Sequence, residues 1–199
     1  MRKILVFIAD GMADFEINLT CHLLSRYNWE IMTVAYDTSI ITALSGLQYI
    51  PRSTISEISG DSGVDGIIIP GGFHYEQRPE LTELIREYYR SGKLTAATCA
   101  GPQYLARAGL FERAHYTTTM TRDSHRELFS GSGDFPFPQD TYIENPVVRD
   151  GTVITAKGTA FIDFSVEILD YFGVFADQHE KRALAEQYQP SFSGISISS

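Results

Sequence analysis

Short apolar runs alternate with amphipathic stretches along most of this chain. Apolar runs rich in Ile and Val indicate buried strands, whereas apolar residues that recur every three or four positions indicate helices. The predicted strands are Lys3 to Ile8, Glu30 to Ala35, Asp65 to Pro70, Leu94 to Thr98, Tyr116 to Thr119 and Val153 to Ala156, with a short hairpin arm at Gly46 to Ile50. The predicted helices are Phe15 to Tyr27, Pro79 to Arg90, Thr159 to Phe172 and Asp177 to Gln187.

This order of elements predicts a single α/β domain over residues 1–188, in which helices sandwich a doubly wound, mostly parallel sheet. Uninterrupted apolar strands fit a sheet that is covered on both faces. The serine-rich tail, residues 189–199, is expected to be loosely held. Ligands bind beyond the carboxyl ends of strands in such sheets. Three predicted loops leave such ends, at Ala9 to Phe15, Gly71 to Arg78 and Cys99 to Pro102.

The segment 94–105 leads a small buried strand into Cys99 and directly on into a helix. A thiol at such a turn lies against unpaired backbone N–H groups at the positive end of the helix dipole, which predicts a lowered pKa and a nucleophilic thiolate. The segment resembles the nucleophile elbow of hydrolases, although Ala97 stands where a glycine is usual. A lone cysteine is more often a buried core residue. The tight turn and helix start after Cys99 favour the functional interpretation.

Two further features are predicted at the same edge of the sheet. Gly71 and Gly72 follow a strand directly, so the chain can turn sharply there, and the N–H groups of Gly72 and Ala100 are candidate oxyanion donors. Two such glycines could equally make an ordinary turn. Glu16 starts the first helix and could be a solvated first-turn residue. Alternatively, its carboxyl reaches the sulfur of Cys99, where burial raises its pKa and its proton stabilises the thiolate.

Five short segments combine into a more specific pattern, namely Gly11 to Glu16, Ile69 to Gly72, Ala97 to Pro102, Glu144-Asn145 and the stretch from Asp150 to Thr159. Together they resemble the superfamily of PfpI-type intracellular proteases and the parkinsonism-associated protein deglycase, from Lys3 to about Gly173. The resemblance implies a flavodoxin-like fold of the class I glutamine amidotransferase type. It also implies that Cys99 is the nucleophilic and oxidisable cysteine, that Glu16 is its carboxylic acid partner, and that Gly72 and Ala100 are the backbone donors.

The histidines of this superfamily are absent from the matching positions. Ala100 stands where PfpI-type members carry a histidine after the cysteine, and residues 116–120 lack the histidine of the deglycase-like Thr-Thr-His segment. Residues 159–165 also lack the histidine of a glutamine-hydrolysing triad. Because thiol hydrolysis normally needs a general base, His74 is the predicted substitute, with an exposed loop histidine as the alternative.

The other four histidines are expected to be less well placed. Two of them could approach the thiol only if the fold bends them inward, and the other two are expected at the surface. The first pair is His115 and His125, and the second pair is His22 and His179.

Charge and composition exclude several function classes. The net charge of −9 and the absence of a basic run argue against nucleic acid as a partner. No apolar stretch approaches the ~20 residues that cross a bilayer, and Asp10 ends the short opening run, which predicts a strand instead of a signal peptide. Cys21 lies on the apolar face of a predicted helix, so we expect a core residue, no disulfide framework and a cytoplasmic protein. No cysteine and histidine spacing indicates a metal, and no cofactor is implied.

The sequence therefore predicts a cysteine-dependent hydrolase or a glyoxalase- or deglycase-like enzyme, in which the Cys99 thiolate attacks a small reactive carbonyl, an amide or a peptide. Without the family histidine, unactivated peptide bonds should be cleaved poorly. One alternative is a redox sensor or stress chaperone in which Cys99 is oxidised to a sulfinic acid. Another is a binding module that kept the fold and lost the chemistry. The resemblance also implies a homodimer.

Overall fold

A seven-stranded sheet forms the centre of the computed structural model, which describes residues 2–58, 63–128 and 134–189. The strands are β1 (Arg2–Phe7), β2 (Trp29–Ala35), β3 (Ile41–Thr42), β4 (Gln48–Tyr49), β5 (Ser53–Thr54), β6 (Val64–Ile69), β7 (Leu94–Thr98), β8 (Val147–Asp150) and β9 (Val153–Ala156). The order across the sheet is β5-β2-β1-β6-β7-β9-β8, and β8 alone among these strands runs antiparallel to its neighbour. The short strands β3 and β4 form a separate antiparallel hairpin, as the pattern around Gly46 to Ile50 predicts.

Helices cover both faces of this sheet. They are α1 (Phe15–Arg26), α2 (Ile55–Ile58), α3 (Pro79–Arg90), α4 (Pro102–Arg107), α5 (Arg122–Leu128), α6 (Phe161–Tyr171) and α7 (Gln178–Tyr188), with 3-10 turns at Leu110–Glu112 and Gly158–Ala160. Within the described ranges, none of the helices has both the length and the apolarity needed to cross a membrane.

The side chains of β1 show how the two layers of the core are built. Ile4 and Val6 point into one apolar layer, which contains residues of α1 and α6, and Leu5 and Phe7 point into the other, which contains residues of α3 and α4. Alternate residues of a strand face opposite sides of a sheet, so a strand buried on both faces has to be apolar at every position. The predicted doubly wound, mostly parallel α/β fold is confirmed.

The strand order reverses beside β1, because β2 pairs on one side of it and β6 on the other. The loops that follow β1, β6 and β7 leave the sheet at the edge formed by the carboxyl ends of these parallel strands. Such an edge is where sheets of this type bind ligands. The topology therefore brings the three loops predicted to carry chemistry to one place.

Three local features differ from the sequence predictions. The strand predicted at 116–119 is wrong: Tyr116 makes only an isolated bridge, with Tyr142, and Thr117 N–H donates to a side-chain oxygen of Thr155 instead of a strand backbone. The edge strand β8 was not predicted, because its four residues, two valines followed by Arg149 and Asp150, do not alternate between apolar and polar. The helix predicted from Thr159 begins instead with the 3-10 turn at Gly158–Ala160. The tail at 190–199, predicted to be loosely held, lies outside the described residues.

Candidate active site

Cys99 adopts a left-handed backbone conformation, with φ of +58°, between the end of β7 and the start of α4. This conformation costs a residue with a Cβ about 1–2 kcal/mol, so surrounding contacts have to hold it. The Cys99 N–H donates to the Ala156 carbonyl at 2.9 Å. The Cys99 carbonyl accepts from the Thr119 N–H at 3.0 Å and from the Thr118 hydroxyl at 2.7 Å. The chain therefore makes a sharp, fully bonded turn that directs the thiol away from the strand.

The Glu16 side chain is buried beside this thiol and is only 1% exposed. Its Oε2 accepts a 2.8 Å hydrogen bond from the Gly71 N–H, and the carboxyl is also hydrogen-bonded to the Cys99 thiol. Glu16 lies in the first turn of α1, so the helix after β1 directs the carboxyl toward the loops after β6 and β7. Glu16 is thus a buried carboxyl that reaches the sulfur of Cys99, and it is not a solvated residue of the first helical turn.

Two glycines pack directly against the Cys99–Glu16 pair. A Cβ at Gly158 would lie 2.8 Å from Glu16 Oε1 and 3.0 Å from Cys99 Sγ, and a Cβ at Gly71 would lie 2.6 Å from the Cβ of Cys99. Contacts below about 3 Å between such atoms are strongly repulsive. The pair is therefore enclosed by bare backbone on two sides. Sequence analysis missed the part played by Gly158, although a glycine two residues after the buried strand β9 at this sheet edge was an available signal.

Thr119 is the second residue that sequence analysis missed. Its hydroxyl is hydrogen-bonded to the Cys99 thiol and also accepts the Gly158 N–H at 3.0 Å. Thr119 belongs to the segment in which the deglycase-like histidine is absent. Here, a neutral hydroxyl contacts the sulfur from that segment, and it supplies a hydrogen bond but no strong base.

The surroundings raise the pKa of both members of the pair. Burial raises the pKa of Glu16 above its usual range, although the Gly71 N–H and the Cys99 thiol partly oppose this. Burial, followed by the negative charge of Glu16, raises the pKa of the Cys99 thiol to about 12, while hydrogen bonds from Thr119 and from the Ala100 N–H lower it. The prediction that the pKa of Cys99 is lowered is thus wrong when Glu16 is ionised. Burial of the thiol and the negative charge of Glu16 raise this pKa by more than the backbone N–H groups lower it.

The charge state of the pair nevertheless allows a thiolate. Two touching groups whose pKa values are both raised titrate as one unit. When one proton moves from Cys99 Sγ to Glu16, the total charge stays the same, the opposing anion disappears and the carboxylic acid donates a hydrogen bond to the sulfur. The N–H of Ala100 and the hydroxyl of Thr119 contact the same sulfur. The site can therefore hold one shared proton and one negative charge.

A cavity of about 380 Å³ opens above the thiol. Cys99, Glu16, Gly72 and Ala100 all line it. The structure therefore brings together four of the five residues predicted for the site. The remaining wall is mainly apolar and includes Phe15, Leu44, Phe73, Met120 and Leu128.

His74 is the predicted site residue that the structure does not bring to this cavity. It lines a separate cavity of about 260 Å³ with Asp10, Tyr36 and other residues. Its Nδ1 lies 3.2 Å from the Tyr104 hydroxyl, its Nε2 lies 3.8 Å from the Glu76 carboxylate, and burial lowers its pKa. The loop after Gly72 turns this side chain toward β2, so we assign it no step at the thiol.

The other histidines are also engaged elsewhere or exposed. The imidazole of His115 contacts the Asp150 carboxylate at 2.8 Å, and His125 is buried with its ring against Phe135. His22 and His179 are exposed, as expected. In the described ranges, no three His, Cys, Asp or Glu side chains are grouped so that they could hold a metal ion.

We predict that replacing Glu16 by glutamine stabilises the protein increasingly as the pH rises. A carboxyl whose pKa is raised by folding contributes stability below its unfolded value, 4.5, and that contribution is lost as the pH rises through the folded value. Glutamine keeps the shape and does not ionise. The melting temperature of Glu16→Gln should therefore rise relative to that of wild type between about pH 4 and pH 8. The increase should be about 2–4 °C for each kcal/mol that ionisation of the buried carboxyl costs the folded wild-type protein.

Thermal unfolding of both proteins across this pH range checks the prediction. The matched control is Glu112→Gln, because Glu112 is exposed, and it should show no such trend. A difference for Glu16→Gln that stays constant or shrinks with rising pH would contradict the raised pKa.

Comparisons with known proteins place this chain in a family. The model described as the DJ-1/PfpI family matches residues 2–171. A Bacillus subtilis protein named an uncharacterized protease is 26% identical over 174 residues, which is 85% of this chain and 83% of that protein. A deglycase of Thermococcus kodakarensis is 27% identical over 78% of this chain and 89% of its own length. A glutathione-independent glyoxalase of Caenorhabditis elegans is 28% identical over 79% of this chain and 81% of its own length.

Solved structures give the same result. A DJ-1 superfamily protein from Agrobacterium tumefaciens is 26% identical and superposes with a TM-score of 0.77, covering 94% of this chain and 100% of that chain. A thiJ/pfpI family protein from Bacillus anthracis has a TM-score of 0.80 at 21% identity, covers 96% of this chain and 92% of that chain, and shows the fold alone. Since the family model spans most of the sequence and its relatives share this fold, the chain belongs to the DJ-1/PfpI family.

Proposed function

We propose that the protein is a cysteine-dependent enzyme of small, activated carbonyl compounds, with Cys99 as nucleophile and Glu16 as the group that carries the proton. The observation that supports this most directly is the contact between a buried carboxyl and a thiol at the base of an open cavity. Relatives named deglycase and glyoxalase fit carbonyl chemistry. A 2-oxoaldehyde is the simplest substrate that such a pair can convert.

The proposed reaction begins with a bond between Cys99 Sγ and the aldehyde carbon. The carbonyl electron pair moves to oxygen, and Glu16 gives its proton to that oxygen, which produces a hemithioacetal. The Glu16 carboxylate then takes the proton from the same carbon and delivers it to the neighbouring carbon, while a proton passes between the two oxygens. The product is a thioester with a 2-hydroxyl group, and water releases the 2-hydroxy acid and regenerates the thiol. The net change adds one water and needs no external oxidant or reductant.

Backbone N–H groups are the proposed partners of the oxygen that becomes negative. Gly72 and Ala100 both line the cavity that contains the thiol, and the Ala100 N–H already donates toward the sulfur. Preorganised donors of this kind stabilise charge that develops during the reaction. A Cβ is excluded at Gly72, where it would lie 2.2 Å from the Gly11 carbonyl oxygen, so this loop packs directly against the loop after β1.

Peptide hydrolysis is a weaker candidate for this site. An amide has a poor leaving group, which a nearby acid has to protonate while a base activates the thiol. Among the described residues that line the cavity, the ionisable side chains are Glu16, Tyr75 and Cys99 itself. Glu16 is therefore the one carboxylic acid among these residues, and no histidine accompanies it. An activated carbonyl needs no leaving group in its first step, so one proton carrier is enough.

The test separates thiol reactivity from turnover by changing Glu16 in two ways. Glu16→Gln keeps a neutral donor beside the sulfur, because the Gly71 N–H fixes the amide oxygen on its own side. We expect this variant to retain Cys99 alkylation by iodoacetamide within about threefold of wild type, and to lose methylglyoxal turnover by about a hundredfold or more, since an amide cannot carry the proton. Glu16→Leu should lose both.

Methylglyoxal consumption, 2-hydroxy acid formation and mass-spectrometric labelling of Cys99 are the measurements. His74→Ala is the matched control for a titratable residue outside the cavity, and its turnover should stay within about twofold of wild type. If His74→Ala abolishes turnover, or if Glu16→Gln turns over normally, the assignment of the proton carrier is wrong. Faster alkylation in Glu16→Gln than in wild type would instead indicate that Glu16 opposes the thiolate as an anion.

A second candidate function is redox sensing through Cys99. The supporting observation is that the partly exposed sulfur has hydrogen-bonding groups from Glu16, Thr119 and Ala100 around it, which could hold the oxygens of a sulfinate. Selective oxidation of Cys99 by mild peroxide, reduced in Glu16→Leu and unaccompanied by turnover of any carbonyl, would favour this role. The homodimer implied by the family resemblance stays a prediction, which sedimentation equilibrium tests.

A further inference from the structure

The cavity above Cys99 selects its ligand by polarity, an inference that rests on the proposed function. We infer that the site takes neutral carbonyl compounds with an apolar substituent, such as aryl or branched alkyl 2-oxoaldehydes, and rejects anionic ones, such as 2-oxoaldehydes that carry a carboxylate. Three features of the described residues support this preference: the apolar composition of the cavity wall, the origin of its side chains in separate segments, and the lack of a cation among the residues that line it.

Large apolar side chains around the opening of this cavity are exposed to solvent. Phe73 is 64% exposed, Phe15 is 54% exposed and Leu44 is 51% exposed, and Leu128 adds a fourth apolar side chain at the rim. Single exposed apolar residues are ordinary, but several grouped around one cavity mark a binding surface. A ligand that covers them removes apolar surface from water, whereas a small polar ligand leaves that surface exposed.

These side chains come from separate parts of the chain that meet only in the folded state. Phe15 begins α1, Leu44 lies in the β3–β4 hairpin and Phe73 follows β6. The hairpin is tied to the loop after β1, because the Leu44 N–H donates to the Met12 carbonyl at 2.9 Å and the Gly11 N–H donates to the Thr42 carbonyl at 2.8 Å.

The third segment is tied to the same loop by the Phe73 N–H, which donates to the Gly11 carbonyl at 3.0 Å. The apolar rim is thus held in place before a ligand binds. A preformed rim costs little ordering on binding, which strengthens its effect on selectivity.

Charge acts in the same direction. Among the described residues that line the cavity there is no Lys, Arg or His, and the ionisable groups are Glu16, Tyr75 and Cys99 itself. Nearby cations face other spaces: Arg122 lines an adjoining cavity beyond Met120, and Arg78 lines the cavity of His74. An anionic substrate would lose water next to Glu16 without gaining a positive partner, in a chain whose net charge is −9.

Steady-state kinetics with phenylglyoxal, methylglyoxal and 4-carboxyphenylglyoxal test the preference, because all three carry the same reacting 2-oxoaldehyde group. We expect kcat/KM to fall by about tenfold or more from phenylglyoxal to methylglyoxal, and by about tenfold or more from phenylglyoxal to its 4-carboxy derivative. Phe73→Ser and Leu44→Ser should each lower the phenylglyoxal to methylglyoxal ratio by about threefold to tenfold. The matched control is Ile50→Ser, because Ile50 is 73% exposed and does not line the cavity. Its ratio should equal that of wild type.

A second readout does not depend on turnover. The rate of Cys99 alkylation is measured with two pairs of reagents, N-benzylmaleimide and N-methylmaleimide, and iodoacetamide and iodoacetate. Each rate is divided by the rate of the same reagent with a free thiol. We expect the benzyl reagent and the neutral iodoacetamide each to react about tenfold faster than their counterparts, and Phe73→Ser to lower the benzyl to methyl ratio. If these preferences hold while no carbonyl is turned over, the proposed function fails and the selectivity stands. If wild type and Phe73→Ser show equal ratios in both assays, the selectivity is overturned even where turnover occurs.

Discussion

Replacing Cys99 by alanine is expected to abolish turnover, by a factor of about a thousand or more, without destabilising the fold. The sulfur forms the covalent bond in the proposed reaction, and among the described residues no other thiol reaches the cavity, since Cys21 packs with the apolar layer under α1. Stability should be kept because alanine removes a buried group that faces Glu16. Functional sites commonly carry such locally unfavourable contacts.

Glycine at position 99 extends this prediction to the backbone. Cys99 has φ of +58°, a conformation that glycine adopts without the Cβ clash, so Cys99→Gly should recover about 1 kcal/mol relative to Cys99→Ala, less any cost of the space that the methyl group leaves. Thermal unfolding of the two variants measures the difference.

Cys21→Ala is the matched control for the loss of a thiol, and it should leave turnover and Cys99 alkylation unchanged. Residual turnover of Cys99→Ala within about tenfold of wild type would exclude covalent chemistry at this sulfur. A strongly destabilised Cys99→Ala would instead show that the thiol contributes to the packing of the elbow.

Replacing Gly158 by alanine is expected to have the second largest effect, lowering turnover by about a hundredfold and the melting temperature by several degrees. The new Cβ would lie 2.8 Å from Glu16 Oε1 and 3.0 Å from both Cβ and Sγ of Cys99. The Glu16 carboxyl is held on its other side by the Gly71 N–H, and the Cβ of Cys99 is fixed by a backbone that is hydrogen-bonded at both its N–H and its carbonyl. The substitution should therefore separate the carboxyl from the thiol.

A double-mutant cycle distinguishes this contact from a general effect on the 3-10 turn. In a Glu16→Ala background the nearest atom is gone, so the stability cost of Gly158→Ala should shrink by about 1 kcal/mol or more. An equal cost in both backgrounds would place the strain in the turn itself. Alkylation of Cys99 should also slow in Gly158→Ala if the shared proton depends on the contact.

Both substitutions concern a site where local preferences are violated. A cysteine in a left-handed conformation and a carboxyl with little access to water are each unfavourable alone. The surrounding hydrogen bonds to the Cys99 backbone and to Glu16 hold the arrangement. The rest of the chain follows ordinary patterns, which is what one expects when a scaffold supports a reactive group.

Elements whose ends carry local signals were predictable to the residue. Helix α3 runs from Pro79 to Arg90 and strand β7 from Leu94 to Thr98, both as the sequence predicts. Proline fits the first turn of a helix and glycine ends one, and a run of small apolar residues suits a buried strand. The segment 116–119 could not be read this way, because its backbone N–H groups bond to the Thr141 and Cys99 carbonyls and to the Thr155 hydroxyl instead of to one neighbouring strand.

The sequence by itself determined the doubly wound fold and the elbow at Cys99, because periodicity and turn residues act over a few neighbouring positions. Only the tertiary structure decided the surroundings of the thiol. In the folded protein, Glu16 is buried against the sulfur, and the pKa values of both groups are raised. The side chain of His74 lines another cavity, and Gly158 packs against the Cys99–Glu16 pair. Burial and electrostatic coupling depend on distances between segments far apart in the chain, and no local pattern encodes those distances.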